Sequence, residues 1–144
     1  MNSTEKESVK DEVFRHFVEQ QHVFLATMEG NQPRVRPVTL IYLRGGFYVA
    51  TGSDDAKTSQ IQRNPRVEFC LLVEEGESKG TIRADCVANL VKDEEIRAYI
   101  FEKIPFMKEF FKTPKDPKYA LIKLEPKVFE YMKPSSIQSQ KIRL

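Results

Sequence analysis

Arg34 and Arg36 stand two residues apart in "RVRPVTLIYL" (34–43), and Lys57 and Thr58 open the short stretch "AKTSQIQR" (56–63). Residues two apart on an extended strand leave the same face, roughly 6.6 Å apart. Two guanidinium forks so placed can grip a phosphate or a carboxylate. They can equally act as surface cations that pair with glutamates on a neighbouring strand. A helix start exposes unbonded amides and the positive end of the dipole, which suits a phosphate. Lys57 and Thr58 would add a cation and a hydroxyl to that first turn. A lysine there opposes the dipole unless an anion is at hand, and the anion is either a ligand or Asp54 or Asp55 acting as an N-cap. The chemistry on offer is anion binding.

Other chemistries find little support. The chain has two histidines, His16 and His22, and neither has a second ligand pair in metal spacing. Ser53, Thr58 and Ser59 have no histidine close in sequence, so a hydrolase triad is not expected and no catalytic residue is nominated. Cys70 and Cys86 make no CxxC or zinc pattern and read as buried free thiols, which fits a reducing cytoplasm. The phenylalanines of segment 101–111 read as a helix stripe that closes a core.

The elements that must position these residues follow from patterning. The 144 residues fit one domain, 1–144, and 40% hydrophobic with 31% charged residues is ordinary globular composition. A net charge of +2 is too small to imply a nucleic-acid or membrane partner. The apolar runs fall far short of the ~20 residues of a membrane span, and the N-terminus carries no signal-peptide core. Apolar spacing at Val9, Val13, Phe14, Phe17 and Val18 predicts an N-terminal helix within 1–20, with Thr4 and Glu7 as a capping box. Strands are predicted at 23–29, 34–43, 47–51, 66–75 and 79–91, with one or two more over 119–132. Pro37 implies an edge, a bulge or a gap in the ladder. Asp93 should cap a helix that Pro105 ends or kinks. The tail 133–144 is polar and expected to be loosely held unless a partner subunit captures it. About six strands with hairpin connections and three helices predict a mainly β (α+β) fold, a six-stranded antiparallel barrel with peripheral helices.

Five segments in this order resemble the pyridoxamine 5'-phosphate oxidase-like, FMN-binding split-barrel family: "FLATM" (24–28), "PRVRPVTLIY" (33–42), "FYVATGS" (47–53), "AKTSQIQRNPRV" (56–67) and "TIRADCVANLV" (81–91). The resemblance implies a split β-barrel that forms a homodimer, with FMN in grooves at the subunit interface; a deazaflavin or haem is the other ligand such a barrel could take. By position, Arg36 would contact the FMN phosphate, and Pro37, Val38, Thr39 and Leu40 would run along the flavin ring. Ala50 and Thr51 would line the phosphate or ribityl region, and Lys57 with Thr58 would hold the phosphate at the helix start. Where family members often place an arginine, this chain has Ala56, and Asp54 and Asp55 bring negative charge near the expected phosphate. The chain ends at "KIRL" without the arginine–histidine element that helps the true oxidase bind its substrate. The expectation is a cytoplasmic FMN-dependent oxidoreductase acting on a small molecule other than pyridoxamine phosphate. The alternative is a non-catalytic flavin-binding, sensing or storage dimer.

Overall fold

Two-residue turns at 30–31, 44–45 and 76–77 make hairpins, and longer connections bring the remaining strands alongside until the sheet meets itself. The computed structural model describes residues 1–144. Its strands are β1 (Gln20–Glu29), β2 (Gln32–Leu43), β3 (Gly46–Gly52), β4 (Arg66–Glu75), β5 (Ser78–Leu90), β6 (Tyr119–Met132) and β7 (Gln140–Arg143). All pair antiparallel in the order β3-β2-β1-β4-β5-β6-β7, and a further β3–β6 pairing closes the first six into a ring. The expected six-stranded antiparallel barrel is present. β7 is an extra strand laid on the C-terminal half of β6.

The ring is uneven, and the unevenness makes the split. β2 pairs with β1 from Gln32 to Ile41, yet it meets β3 only at Ile41, Tyr42 and Leu43. β1 in turn meets β4 only at Phe24, Leu25 and Ala26. The far half of the β1–β2 hairpin therefore leans away from the barrel, with the second edge of β2 unpaired. Pro37 lies on that edge stretch, where a missing amide costs no ladder bond.

Alternation sends Val23, Leu25, Leu40, Phe47, Phe69, Ile82 and Phe129 into the barrel, where each is at most 2% exposed. Helix α1 (Ser3–Arg15) closes one end with Val13, and Phe17 just beyond it packs edge-on to Phe47 at 4.8 Å. A smaller apolar cluster lies outside β3 and β6. There Ile100, Phe101, Ile104 and Met107 cover Tyr48, Tyr119 and Leu121. These side chains come from α3 (Glu94–Lys103), α4 (Met107–Phe110) and the link between them.

Several expectations need correction. Asn2, not Thr4, caps α1: its side chain accepts from the Glu5 amide at 2.8 Å, which places Thr4 already inside the first turn. The helix stops at Arg15, and Val18 is exposed. Pro105 does end a helix, but the chain restarts one turn later, giving four helices once α2 (Ala56–Arg63) is included. The final strand is continuous through Pro126 because the pairing with β5 slips at that point, from Asp85↔Val128 to Cys86↔Pro126, a bulge that absorbs the residue lacking an amide. The tail is not loose. Ile142 is 1% exposed, and residues 140–143 pair with 128–131.

Candidate functional site

The leaning part of β2, the end of β3 and the start of α2 meet at the split. Arg36 faces the barrel interior, opposite Leu25 of β1. Its Nη1 donates to Thr27 Oγ1 at 2.8 Å and to the Leu25 carbonyl at 3.2 Å, and its Nη2 donates to Gln60 Oε1 at 2.9 Å. Thr27 Oγ1 donates to the same Gln60 oxygen at 2.6 Å. Thr27 and Gln60 are buried, so Arg36 ties α2 to the β1–β2 hairpin through a satisfied polar network. Burial pulls the pKa of Arg36 down and the nearby Asp55 charge pushes it back; a guanidinium keeps its proton regardless. Arg34, on the same face, behaves as the plainer of its two expected roles. It pairs with Glu29 of β1 at 2.8 Å, both side chains being about half exposed. That hydrogen bond is the main cause holding the Glu29 carboxyl below its usual range.

The helix start resolves in favour of Asp55 as the cap. Its carboxylate accepts from the Lys57 amide at 3.1 Å and pairs with Lys57 Nζ at 3.0 Å. Burial works to raise the Asp55 pKa, but the hydrogen bonds from Lys57 and the charges of Lys57 and Arg36 outweigh it and hold the group below 3.8. The Lys57 side chain is only 12% exposed, against 45% for Asp55. Thr58 is buried, and its hydroxyl donates to the Gly52 carbonyl at 2.9 Å, pinning the helix to the end of β3. Arg36, Asp55, Lys57 and Thr58 thus form one corner with two cations, one carboxylate and a helix N-terminus.

The remaining candidates divide by strand alternation. Leu40 is fully buried in the barrel core, so only its backbone can face a ligand; Val38 also packs inward. Pro37 is exposed and Thr39 half-buried on the opposite face. Ala50 and Thr51 line a cleft of about 380 Å³ together with Gly52, Phe106, Phe110 and Lys118. The aromatic segment therefore does more than close a core: Phe101 is buried as expected, but Phe110 is 70% exposed at this cleft. No cluster of three or more histidine, cysteine, aspartate or glutamate side chains has the arrangement of a metal site.

Thr27 and Gln60 are the site residues that the sequence reading passed over. The signal was there: Thr27 continues the inward alternation of Val23 and Leu25, and Gln60 shares a helix face with Ala56 and Lys57. Polar residues at positions predicted to be buried need partners, and these two partner Arg36.

The sequence matches the profile of the family described as pyridoxamine 5'-phosphate oxidase over residues 10–133. Among curated proteins there is no significant sequence match. Among solved structures, the fold is similar to general stress protein 26 from Bacillus anthracis str. Sterne, with TM-score 0.74 and 23% identity over 94% of this chain and 98% of that one. It is similar to a NimC/NimA family protein from Clostridium acetobutylicum, with TM-score 0.71 and 23% identity over 88% and 86%. It is also similar to HutZ, the heme storage protein from Vibrio cholerae, with TM-score 0.64 and 17% identity over 89% and 94%. The chain belongs to the pyridoxamine 5'-phosphate oxidase family.

Proposed function

We propose that this chain is an FMN-binding flavoprotein of the oxidoreductase type that works as a homodimer on a small molecule other than pyridoxamine phosphate. The observation that carries the reading is the convergence of Arg36, Lys57 and the start of α2 at the barrel split. The donor set fits a phosphate ester: two cations from separate elements and a helix N-terminus face one corner. Arg36, Lys57 and Thr58 would hold the phosphate, and Ala50 and Thr51 the ribityl region. Residues Pro37 to Leu40 would border the ring, with Leu40 contributing only its backbone. Bound FMN would supply hydride or electron transfer, while this chain's residues anchor, orient and shield it. That division of labour suits a site without an acid–base pair.

The homodimer is supported by the unpaired edge of β2 and by apolar side chains on the outer face beside it. Phe24 is 45% exposed, Val35 70% and Leu72 60%, and outward-facing Pro33 and Pro37, which flank Val35 on β2, are exposed as well. No helix is long and apolar enough to cross a membrane. We place the protein in the cytoplasm on its two free thiols, which point to opposite faces of adjacent strands and so cannot bridge. Sedimentation at micromolar concentration tests the dimer, and a monomer there defeats it.

The cofactor test is the absorption spectrum of the purified protein and of the chromophore released on denaturation. Released FMN, reducible in place by NADH or NADPH and reoxidised by an added acceptor, upholds the reading; a haem or deazaflavin spectrum replaces it. Bound FMN that neither nicotinamide reduces would favour the second reading, a storage or sensing dimer, to which the fold shared with a heme storage protein lends weight.

A further inference from the structure

We infer that Asp55 is a built-in occupant of the phosphate corner, a carboxylate that holds the anion-binding groups in the ligand-free protein and that an incoming phosphate ester must displace from Lys57. The inference rests on the FMN reading and concerns how this chain differs from a corner left open. A lysine in the first turn of a helix faces the positive end of the dipole, and this one is 12% exposed at the side chain. An unpaired ammonium so enclosed is costly, and the Asp55 carboxylate removes the cost by pairing with Nζ at 3.0 Å and accepting from the Lys57 amide at 3.1 Å. Both contacts use groups that a phosphate at the start of α2 would need.

The charge count changes accordingly. Arg36 and Lys57 together carry two positive charges, and Asp55 cancels one, so a dianionic ester meets a corner of net +1. The Asp55 carboxylate is free to yield: its backbone stays held by the Thr58 amide on its carbonyl and by its own amide on the Gly52 carbonyl, each at 3.1 Å, while its side chain is 45% exposed and can turn to solvent. Lys57 and Arg36 are the more enclosed members, and the aspartate is the one open to solvent. The plain alternative is that Asp55 only caps α2. The two accounts part when the charge is removed and the cap is kept, because asparagine and serine cap as well as aspartate does.

The test is titration of wild type, Asp55→Asn and Asp55→Ser with FMN and with riboflavin, which lacks the phosphate; a thermal melt shows that each variant folds. Loss of one unit charge beside the phosphate should tighten FMN binding by roughly tenfold or more, while riboflavin affinity stays within about twofold. Inorganic phosphate should compete with FMN more strongly in the variants. If either folded variant binds FMN no more tightly than wild type, or tightens riboflavin equally, Asp55 is a cap and nothing more; the FMN reading survives that result provided that wild type binds FMN. If no variant and no wild type binds FMN, the FMN reading falls and takes this inference with it.

Discussion

Replacing Lys57 by methionine separates binding from folding. In the ligand-free protein the substitution removes one ion pair whose other member, Asp55, is nearly half exposed. Such pairs contribute about 0–1 kcal/mol. The cap survives, since the backbone amide of residue 57 still donates to Asp55, and methionine keeps most of the enclosed stem packed. Stability in urea should therefore fall by no more than about 1 kcal/mol. Toward FMN the loss is larger: a charge-assisted hydrogen bond contributes about 1.5–3 kcal/mol, which corresponds to roughly a 10- to 150-fold weaker affinity. The freed Asp55 carboxylate then faces the phosphate without its counter-ion, which pushes the effect toward the upper end. Quenching of flavin fluorescence measures the affinity, and Lys57→Arg should restore part of it. Unchanged FMN affinity in a folded variant refutes the assignment of Lys57. An equal loss of riboflavin affinity also refutes it, because the phosphate would then not be what Lys57 senses.

Glu68 and Asp85 face each other across β4 and β5, a like-charge pair on the outer face. Burial first, then the hydrogen bond and charge of Asp85, raise the Glu68 pKa above 4.5, with Arg83 pulling the other way. A carboxyl whose folded pKa is raised weakens the fold when ionised, and stability returns as pH falls through that pKa. Glu68→Gln should therefore raise the melting temperature at pH 7 and flatten its rise on acidification; an unchanged melting temperature at pH 7 counts against the pairing. Ile142→Ala should destabilise by about 2–5 kcal/mol in urea if β7 is docked as described, and a loss near zero would mean that the tail is free. Iodoacetamide should modify Cys70 before Cys86 in the native protein, because Cys86 is 4% exposed and burial raises its thiol pKa strongly. Equal labelling by mass spectrometry would contradict that burial.

Much of this was legible in the sequence because local signals agreed with the final packing. In the strand predicted at 79–91, Ile82, Ala84, Cys86, Ala88 and Leu90 alternate with mostly polar neighbours as one inward row; the first four are buried and Leu90, at the strand end, is half-buried. Asp93 and Pro105 marked a helix at the right place. The failures share one cause, competition between local signals that only tertiary contacts settle. Asn2 and Thr4 are both good caps, and which one serves depends on where α1 must begin to bring Val13 and Phe17 over the barrel mouth. Ile142 is one apolar residue in a polar tail, invisible as a strand until β6 offers it an edge. The two arginines looked symmetric in sequence, yet Glu29 pairs with Arg34 and the buried Thr27–Gln60 pair holds Arg36.

That last division follows from register. On β1 the inward positions run Val23, Leu25, Thr27, Glu29; on the paired β2 they run Leu40, Val38, Arg36, Arg34. Both strands lose their apolar residues along the same direction, β1 through Thr27 to Glu29 and β2 directly to Arg36 and Arg34, and they do so as the hairpin leaves the ring. A barrel interior tolerates Leu25 and Leu40 but not an unpartnered guanidinium, so the hairpin can lean out only where its inward side chains find polar company. Gln60 of α2 supplies it, which is why the short helix must dock at the split rather than elsewhere on the surface. The same docking brings Lys57 and Asp55 beside Arg36. The corner that gathers Arg36, Asp55 and Lys57 is thus the end of the core pattern itself, the first place along the hairpin where the barrel runs out of apolar residues. Slipping β2 by one residue would turn Arg36 outward and Val35 inward, and would abolish the corner and the split together.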